Sequence, residues 1–363
     1  MMTEERIWPD IAIPPGETLA ETLDAMGISQ AELARRTGRP VQAISEIIQG
    51  KKEITPETAL ALERVLGVPA HVWIRLEADY RTVKARLADR GRLKAEISLA
   101  EQCPYKEMSK NGWVPAVTDP IERVQALLRF FGVASLRHIR PSALAAAWRR
   151  SKAVTTSSCA LAAWLRQGEL QAQHIETAPF DAAGLMELLP TLRSFTRETP
   201  EVFQPKLVKI LSQRGVALVF VPELPKTGAH GATRWMGAKA VVQLSLRLRW
   251  ADIFWFTLFH ELAHILKHGR KELFIELDED QEDEREREAD AFATKHLIPE
   301  LAYKAFTSDK TVFSAMAVEA FAGEIGIHPG IVVRRLHHDK KTPPSHLSGL
   351  RVQYRWAEET KEA

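Results

Sequence analysis

Residues 251–269 read ADIFWFTLFHELAHILKHG. Trp250 ahead of the run and Gly269 behind it predict a helix between them, with Lys267 and His268 in its last turn. Its most apolar part, Ile253 to Leu266, contains Thr257, His260, Glu261 and His264. That part is too short and too polar to span a bilayer, so no membrane association is expected. His260 and His264 stand four apart, one turn apart on one face, and each can direct a ring nitrogen at a single ion. Glu261 lies beside that face, close enough to reach a water on the ion without ligating it. These are the parts of a catalytic zinc site, which needs a third protein ligand and one open position. The glutamate takes a proton from the water and passes it to a leaving amine.

The third ligand must come from elsewhere. His268 continues the spacing, but three successive turns of a straight helix do not converge on one ion; it suits the helix C-terminus through the dipole. Downstream, DEDQEDEREREADAFATKHLIP begins as an acidic run and becomes a helix with Ala289, Phe292, Ala293 and Leu297 facing inward. The early acids, Asp278 to Asp283, read as a solvated loop. Glu286 and Asp290 share one face of the helix. A ligating glutamate with an aspartate one turn on can hold the metal and orient a ligand histidine through its other ring nitrogen. Glu288 lies roughly 200° round the helix from Glu286 and points elsewhere. Glu286 is therefore the expected third ligand and Asp290 its supporting carboxylate.

Upstream, GVALVFVPEL (215–224) and GAKAVVQLSLR (237–247) read as strands. The strand around Val241 to Leu246 is a candidate edge to which an extended peptide adds. Arg234 and His230, in GAHGATRW, are candidate oxyanion stabilisers.

The N-terminal stretch has different grammar. GETLAETLDAMG carries Leu19, Leu23 and Met26 at helical spacing and ends at Gly27. Ser29 caps SQAELARRT, which stops at Gly38; Pro40 opens PVQAISEIIQ, closed by Gly50; Thr55 and Pro56 start TPETALALERVLG. Two short helices joined by a glycine turn and flanked by others form the skeleton of a helix-turn-helix, whose second helix enters the major groove. Ile44, Ile47 and Ile48 then face the core, and Arg39, Gln42 and Ala43 form the exposed reading edge. Gln42 can pair with adenine and Arg39 with guanine or phosphate. Lys51 and Lys52 suit phosphate contacts. The net charge of +2 gives no chain-wide bias toward nucleic acid, so this expectation rests on the local patch.

The middle is less eloquent. YRTVKARLADRGRLKAEI, SALAAAWRR and SSCALAAWLRQGEL read as helices, with Trp113, Trp148 and Trp164 as packing residues. The only two cysteines, Cys103 and Cys159, are far apart in sequence and form no CxxC. They predict ordinary thiols and a reducing, cytoplasmic setting. The opening MMTEERIWPDIAIPPGE is acidic and proline-bearing, which predicts no signal peptide.

Two resemblances follow from these motifs. Over residues 10 to 80, the PGE opening, ISQAELARRTG, ISEIIQGK, ITPETAL and VPAHVWIRLEADY resemble the XRE-type helix-turn-helix of HigA-like antitoxins. That implies a homodimer on a palindromic double-stranded DNA operator, with a toxin as a common partner. Over residues 190 to 300, and more loosely to 350, HELAHILKH followed by EREADAFATKHLIP resembles the ImmA/IrrE family of zinc metallopeptidases. The family's pattern is HExxH, then ExEAN or ExEAD, FA and LxP. It places Zn2+ on His260, His264 and Glu286, and the catalytic role on Glu261; Asp290 stands where many members have asparagine. The resemblance implies cleavage of a protein substrate, a repressor in stress or mobile-element control.

The expected fold is mainly α with a small α+β C-terminal domain. An all-α helix-turn-helix domain (1–80) precedes a helical connector (81–189), a zincin-like metallopeptidase domain with a small β-sheet (190–350) and a tail (351–363). The expected function is a DNA-binding regulator with a zinc metallo-endopeptidase that acts on a partner or on itself. The alternative is a non-enzymatic antitoxin-type repressor whose C-terminal domain binds a toxin or senses a ligand.

Overall fold

The computed structural model describes residues 11–139, 158–270, 273–277, 284–308 and 312–356. Trp148, the helix expected around it and the acidic run 278–283 lie outside the described residues. The chain divides into two compact units, Met1–Ile97 and Ser98–Ala363. The segment 81–189, expected as a connector, falls on both sides of that division.

Among its described residues the N-terminal unit is all helical: α1 (Pro15–Met26), α2 (Gln30–Thr37), α3 (Val41–Ile48), α4 (Pro56–Leu66) and the long α5 (Ala70–Lys94). The caps stand where the sequence puts them. Ser29 Oγ accepts from Glu32 N at 3.2 Å, and Thr55 Oγ1 accepts from Thr58 N at 3.3 Å. Each satisfies an N–H that the first helical turn leaves without a partner. Leu19, Leu23, Leu33, Ile44, Ile47, Leu62 and Trp73 form the core. Met26, which shares the helical spacing of Leu19 and Leu23, is 46% exposed at the end of α1. From α5, Glu77 Oε2 accepts from Ile54 N at 3.0 Å and so fixes the loop that follows α3.

Gly16 explains the PGE opening. A Cβ there would fall inside contact distance of Ile47 O, Ile48 O and Ile48 Cα, all backbone atoms of the C-terminal end of α3. Backbone cannot rotate away as a side chain can. Gly16→Ala is expected to destabilise this unit by about 3 kcal/mol or more, the upper range for overpacking. Denaturant unfolding followed by circular dichroism would check it, and an unchanged midpoint would refute the close packing.

The C-terminal unit is α+β. Short α6 (Ile97–Ala100), α7 (Tyr105–Lys110) and α8 (Pro120–Phe131) precede α9 (Ser158–Gln173), α10 (Ala182–Ser194) and α11 (Pro200–Ser212). Four strands follow, β1 (Val216–Phe220), β2 (Ala229–Met236), β3 (Lys239–Leu244) and, after α12 (Ala251–Lys267), β4 (Phe274–Leu277). Helices α13 (Glu284–Leu297), α14 (Glu300–Thr307), α15 (Ala315–Ile325) and α16 (Pro329–His338) complete it.

The sheet order is β1-β3-β2-β4, with β1 parallel to β3 and the other pairs antiparallel. β3 is therefore paired on both sides, and the expectation that Val241 to Leu246 forms the free edge is wrong. β1 and β4 are the edges instead. Two strands escaped the sequence reading. β2 mixes glycine, threonine and arginine because its two faces meet different helices, and β4 is only four residues long.

Helix α9 covers the second face of the sheet. Trp164 Nε1 donates to Val221 O at 3.0 Å, and Gln243 Nε2 donates to Trp164 O at 2.7 Å. Cys159, at the start of this helix, forms a disulfide with Cys103, with Cα atoms 5.1 Å apart. This corrects the expectation of two thiols and removes the cysteine argument for a reducing compartment. A sequence separation of 56 residues hides a pairing made by the fold of α6 to α9. Among the described residues, no single helix is long and apolar enough to cross a membrane.

Candidate metal centre and nucleic-acid interface

Helix α12 is buried from Ala251 to Ile265 with few interruptions, which is why it is apolar all round. Its N-terminus has no side-chain cap. The chain near residue 352 does that work. Ala251 N donates to Val352 O at 2.9 Å, and Trp255 Nε1 donates to Tyr354 Oη at 3.0 Å. Arg351 grips Asp252 with two bonds of 3.0 and 2.8 Å. Residues 351–354, which follow a 3-10 turn at Ser348–Leu350 and bridge to Trp250 through Gln353, thus anchor the helix that carries HELAH.

His260, Glu261 and His264 are 2, 0 and 2% exposed. Burying such groups is costly unless they are partnered. His260 Nε2 lies 2.9 Å from His264 Nε2 and 3.0 Å from Glu286 Oε2, and His264 Nε2 lies 3.3 Å from the same oxygen. Tetrahedral zinc with bonds of about 2.0–2.1 Å separates its ligand atoms by about 3.3 Å. Two imidazole nitrogens and a carboxylate oxygen at these spacings fit such an ion, and the three form the metal-capable cluster found among the described residues.

The supporting groups are equally specific. Asp290 Oδ1 lies 2.9 Å from His260 Nδ1. His268, expected to act on the helix dipole, does something else: its Nδ1 faces His264 Nδ1 at 2.9 Å, and its Nε2 faces Glu288 Oε2 at 3.3 Å. Glu288, which also binds Lys267 at 2.6 Å, stays out of the cluster as the helical angle required. Phe274 of β4 stacks on the His264 ring, with centroids 4.2 Å apart. Each ligand histidine therefore has one nitrogen toward the cluster and the other on a fixed partner.

Electrostatics follow from burial and pairing. Burial alone would raise the Glu286 carboxyl, but its bonds to His260 and His264 outweigh it and hold the pKa at about 2. Burial opposes protonation of His260, yet Asp290 and Glu286 win and raise it well above its usual value. Glu261 goes the other way: complete burial raises its carboxyl well above the ordinary range. Its Oε2 accepts from Thr233 Oγ1 at 2.5 Å, and its Oε1 has no hydrogen-bond partner among the described residues. Gly231 makes room for that carboxylate, because a Cβ there would stand 2.7 Å from Thr257 Cγ2 and 2.9 Å from Glu261 Cγ. Glu276, opposite Gly231 across the β2–β4 pair, adds negative potential to Glu261 and His260. Thr233, Gly231 and Glu276 were missed from the sequence, since they lie on the two strands that were not recognised.

Arg234 is not at this site. It follows Thr233 on β2 and so faces the opposite side of the sheet, where its Nη2 donates to Leu165 O at 3.0 Å. The oxyanion role expected for it is withdrawn. His230 sits on β2 with its carbonyl accepting from Ser245 N at 2.9 Å.

Asp290→Ala should weaken metal affinity by about 10- to 100-fold, the usual effect of removing a carboxylate from a ligand histidine. Competition against a chromophoric chelator would check it; unchanged affinity would mean that Asp290 does not orient His260.

In the N-terminal unit, α2 and α3 are joined by residues 38–40, with Gly38 in the left-handed conformation at φ 66°. Ile44 and Ile47 are buried and Ile48 partly so. Gln42 is exposed and bonded to Glu46 at 2.9 Å, and Lys51 and Lys52 are exposed. Ala43 is only 7% exposed and packs inward, so it cannot belong to the reading edge. Position 43 precedes Ile44 and Ile47 on the inner face. The exposed edge instead adds Val41 and Gln49, with Ser45 partly exposed between them. Arg39 is partly buried, its Nε without a partner among the described residues.

Residues 19–73 match the helix-turn-helix family, and residues 251–337 match the IrrE N-terminal-like domain. The HTH-type transcriptional regulator YddM of Escherichia coli (strain K12) is 31% identical over 85 residues, which is 23% of this chain and 90% of that protein. An addiction module antidote protein of a HigA family from Coxiella burnetii is 30% identical, over 23% of this chain and 94% of that one, with a TM-score of 0.22. The Pseudomonas aeruginosa antitoxin HigA, solved with the higBA promoter, is 29% identical over 24% of this chain and 95% of that one, with a TM-score of 0.23. Through its N-terminal unit the chain belongs to the DNA-binding helix-turn-helix family of XRE type, and within its C-terminal unit residues 251–337 are similar to the IrrE N-terminal-like domain.

Proposed function

We propose that this protein is a transcriptional regulator whose C-terminal unit is a zinc-dependent metallo-endopeptidase acting on a protein partner, a repressor, or on itself. One observation carries the reading: His260, His264 and Glu286 converge, while the buried Glu261 stands beside them with one oxygen that no described residue partners. Zinc held there would supply a Lewis acid for a peptide carbonyl and an acidified water.

The chain's own groups do the rest. With the ion bound, Glu261 as a carboxylate would take the proton of the water at Oε1, the oxygen left without a partner among the described residues, and return it to the leaving amine. Thr233 holds the other oxygen, so the carboxylate has one orientation. Asp290 and the His268–Glu288 pair fix the ring orientation of the two histidines. β4, an edge strand of the sheet beside His264, is the strand to which an extended peptide would add. New protein N-termini that arise in cells with the wild-type protein and not with Glu261→Gln would identify the substrate. Identical N-termini in the two strains would favour the antitoxin-type repressor, a reading that the likeness to HigA proteins supports.

For the DNA-reading half, we assign base contacts to Gln42 and Arg39 and phosphate contacts to Lys51 and Lys52, on a palindromic operator bound by a homodimer. Gln42→Ala or Arg39→Ala should relax sequence choice, with about 1–3 kcal/mol lost on the preferred site. Lys51→Ala should weaken all sequences alike and lower the salt dependence by about one ion. Selection from a random DNA pool, repeated at two salt concentrations, separates these effects; equal behaviour of all three variants would move the reading helix elsewhere.

A further inference from the structure

A cavity of about 140 Å³ lies between α12, α13 and α16. It reaches Asp290, the carboxylate that supports the cluster by binding His260 Nδ1 and whose side chain is 57% exposed. Its walls are apolar, from Phe256, Leu297, Ile298 and Ile331, and its size suits one side chain, close to the roughly 150 Å³ that holds a benzene ring.

The charged groups lining it are not equivalent. Asp252 is held by both arms of Arg351, at 3.0 and 2.8 Å. Asp290 is engaged by His260. Arg335 and His338 both pair with Asp339, at 2.8 and 3.2 Å. Arg334 differs. Its guanidinium lies over the Phe256 ring, 5.1 Å from the centroid, and has no hydrogen bond or ion pair among the described residues. Asp252, Glu276 and Asp290 stand near enough to be felt electrostatically, but none closes to an ion pair with it. Burial depresses its proton affinity, as expected for a cation partly withdrawn from water, and no described residue gives it a contacting anion.

An arginine in that state costs free energy in the resting protein. Its planar fork is made for a carboxylate, and here it points into a one-side-chain cavity beside the candidate reaction centre.

We propose that this cavity is a recognition subsite for an acidic side chain, Asp or Glu, on the substrate residue next to the bond that is cut, with Arg334 as its anchor. The proposal rests on the metallopeptidase reading and adds to it a substrate preference. The apolar walls take the methylenes of the side chain and Arg334 takes the carboxylate in a two-bond clamp.

The test uses two matched pairs of short peptides, one pair ending in a hydroxamate as a zinc-binding group and one pair without it. Within each pair, the residue nearest that end is Glu in one member and Gln in the other. Calorimetry on the zinc-loaded full chain is expected to give about tenfold tighter binding of the Glu member, the effect of one charge-assisted clamp. Arg334→Gln should abolish that preference, Arg334→Glu should reverse it, and Arg334→Lys should keep part of it. A thermal unfolding scan of each variant identifies any that no longer fold, and Arg334→Lys carries the comparison in that case. Equal binding of Glu and Gln by the wild type, a preference that survives Arg334→Gln, or no binding in either pair would overturn the subsite. A hydroxamate that adds no affinity over its matched peptide would instead count against the metallopeptidase reading, while the Glu preference would still be read from the unmodified pair.

Discussion

Glu261→Gln is expected to lower the turnover of a cleaved protein by about 10³-fold, within the 10²–10⁴ range for a positioned proton-transfer group. Bound zinc should be unchanged, because Glu261 is not among the three converging ligand atoms. Glutamine keeps the volume of the side chain, and its amide can still meet Thr233, so the packing against Gly231 and Thr257 survives. What it loses is the ability to take a proton. The measurement pairs single-turnover cleavage with elemental analysis of the same preparation. Cleavage that persists at full rate with full metal would eliminate Glu261 as the base, and metal lost along with activity would mean that the carboxylate helps to hold the ion.

His264→Ala should reduce zinc from near-stoichiometric to trace levels. Removing a carboxylate that only orients a ligand costs about 10- to 100-fold in affinity, so removing a ligand itself should cost at least 10³-fold. The variant also leaves a hole against Phe274, which stacks on the His264 ring at 4.2 Å, so the metal-free wild type is the proper control for stability. In the wild type, chelation should lower the midpoint of thermal unfolding of this unit, since an ion that binds only the folded state stabilises by mass action. Elemental mass spectrometry on both proteins decides the matter. Zinc that survives the substitution would place the ion away from His260, His264 and Glu286, and its complete absence from the wild type would shift the weight to the repressor reading.

The parts of the molecule legible in its sequence are those governed by short spacing. Caps at Ser29 and Thr55 and glycine stops at Gly27 and Gly38 are local rules, so the helix-turn-helix could be read off directly. The facing of His260 with His264, and of Glu286 rather than Glu288, follows from 3.6 residues per turn. Features set by long-range pairing were not legible. Four residues from 274 to 277 carry too little pattern to announce β4, and only the pairing of β2 on both sides of Thr233 reveals which residues flank Glu261. Ala43 was misplaced because a small residue fits either face of a helix, and burial is settled by neighbours that the local pattern does not name. Cys103 and Cys159 were misread for the same reason: their distance in space is decided by helices between them and not by their spacing.

The clamp on α12 has a consequence for how the chain is made. Asp252 and Trp255 receive Arg351 and Tyr354 across a separation of 99 residues in each case. At about 5–20 residues added per second, a ribosome needs several seconds to travel that distance, and N-terminal units fold while it does so. The helix-turn-helix is therefore finished and able to seek its operator while the helix bearing HELAH still lacks its terminal tie. The helix bearing HELAH is thus among the last parts of the fold to be tied down, and a chain cut short between Lys94 and Arg351 would keep the five N-terminal helices while losing that tie.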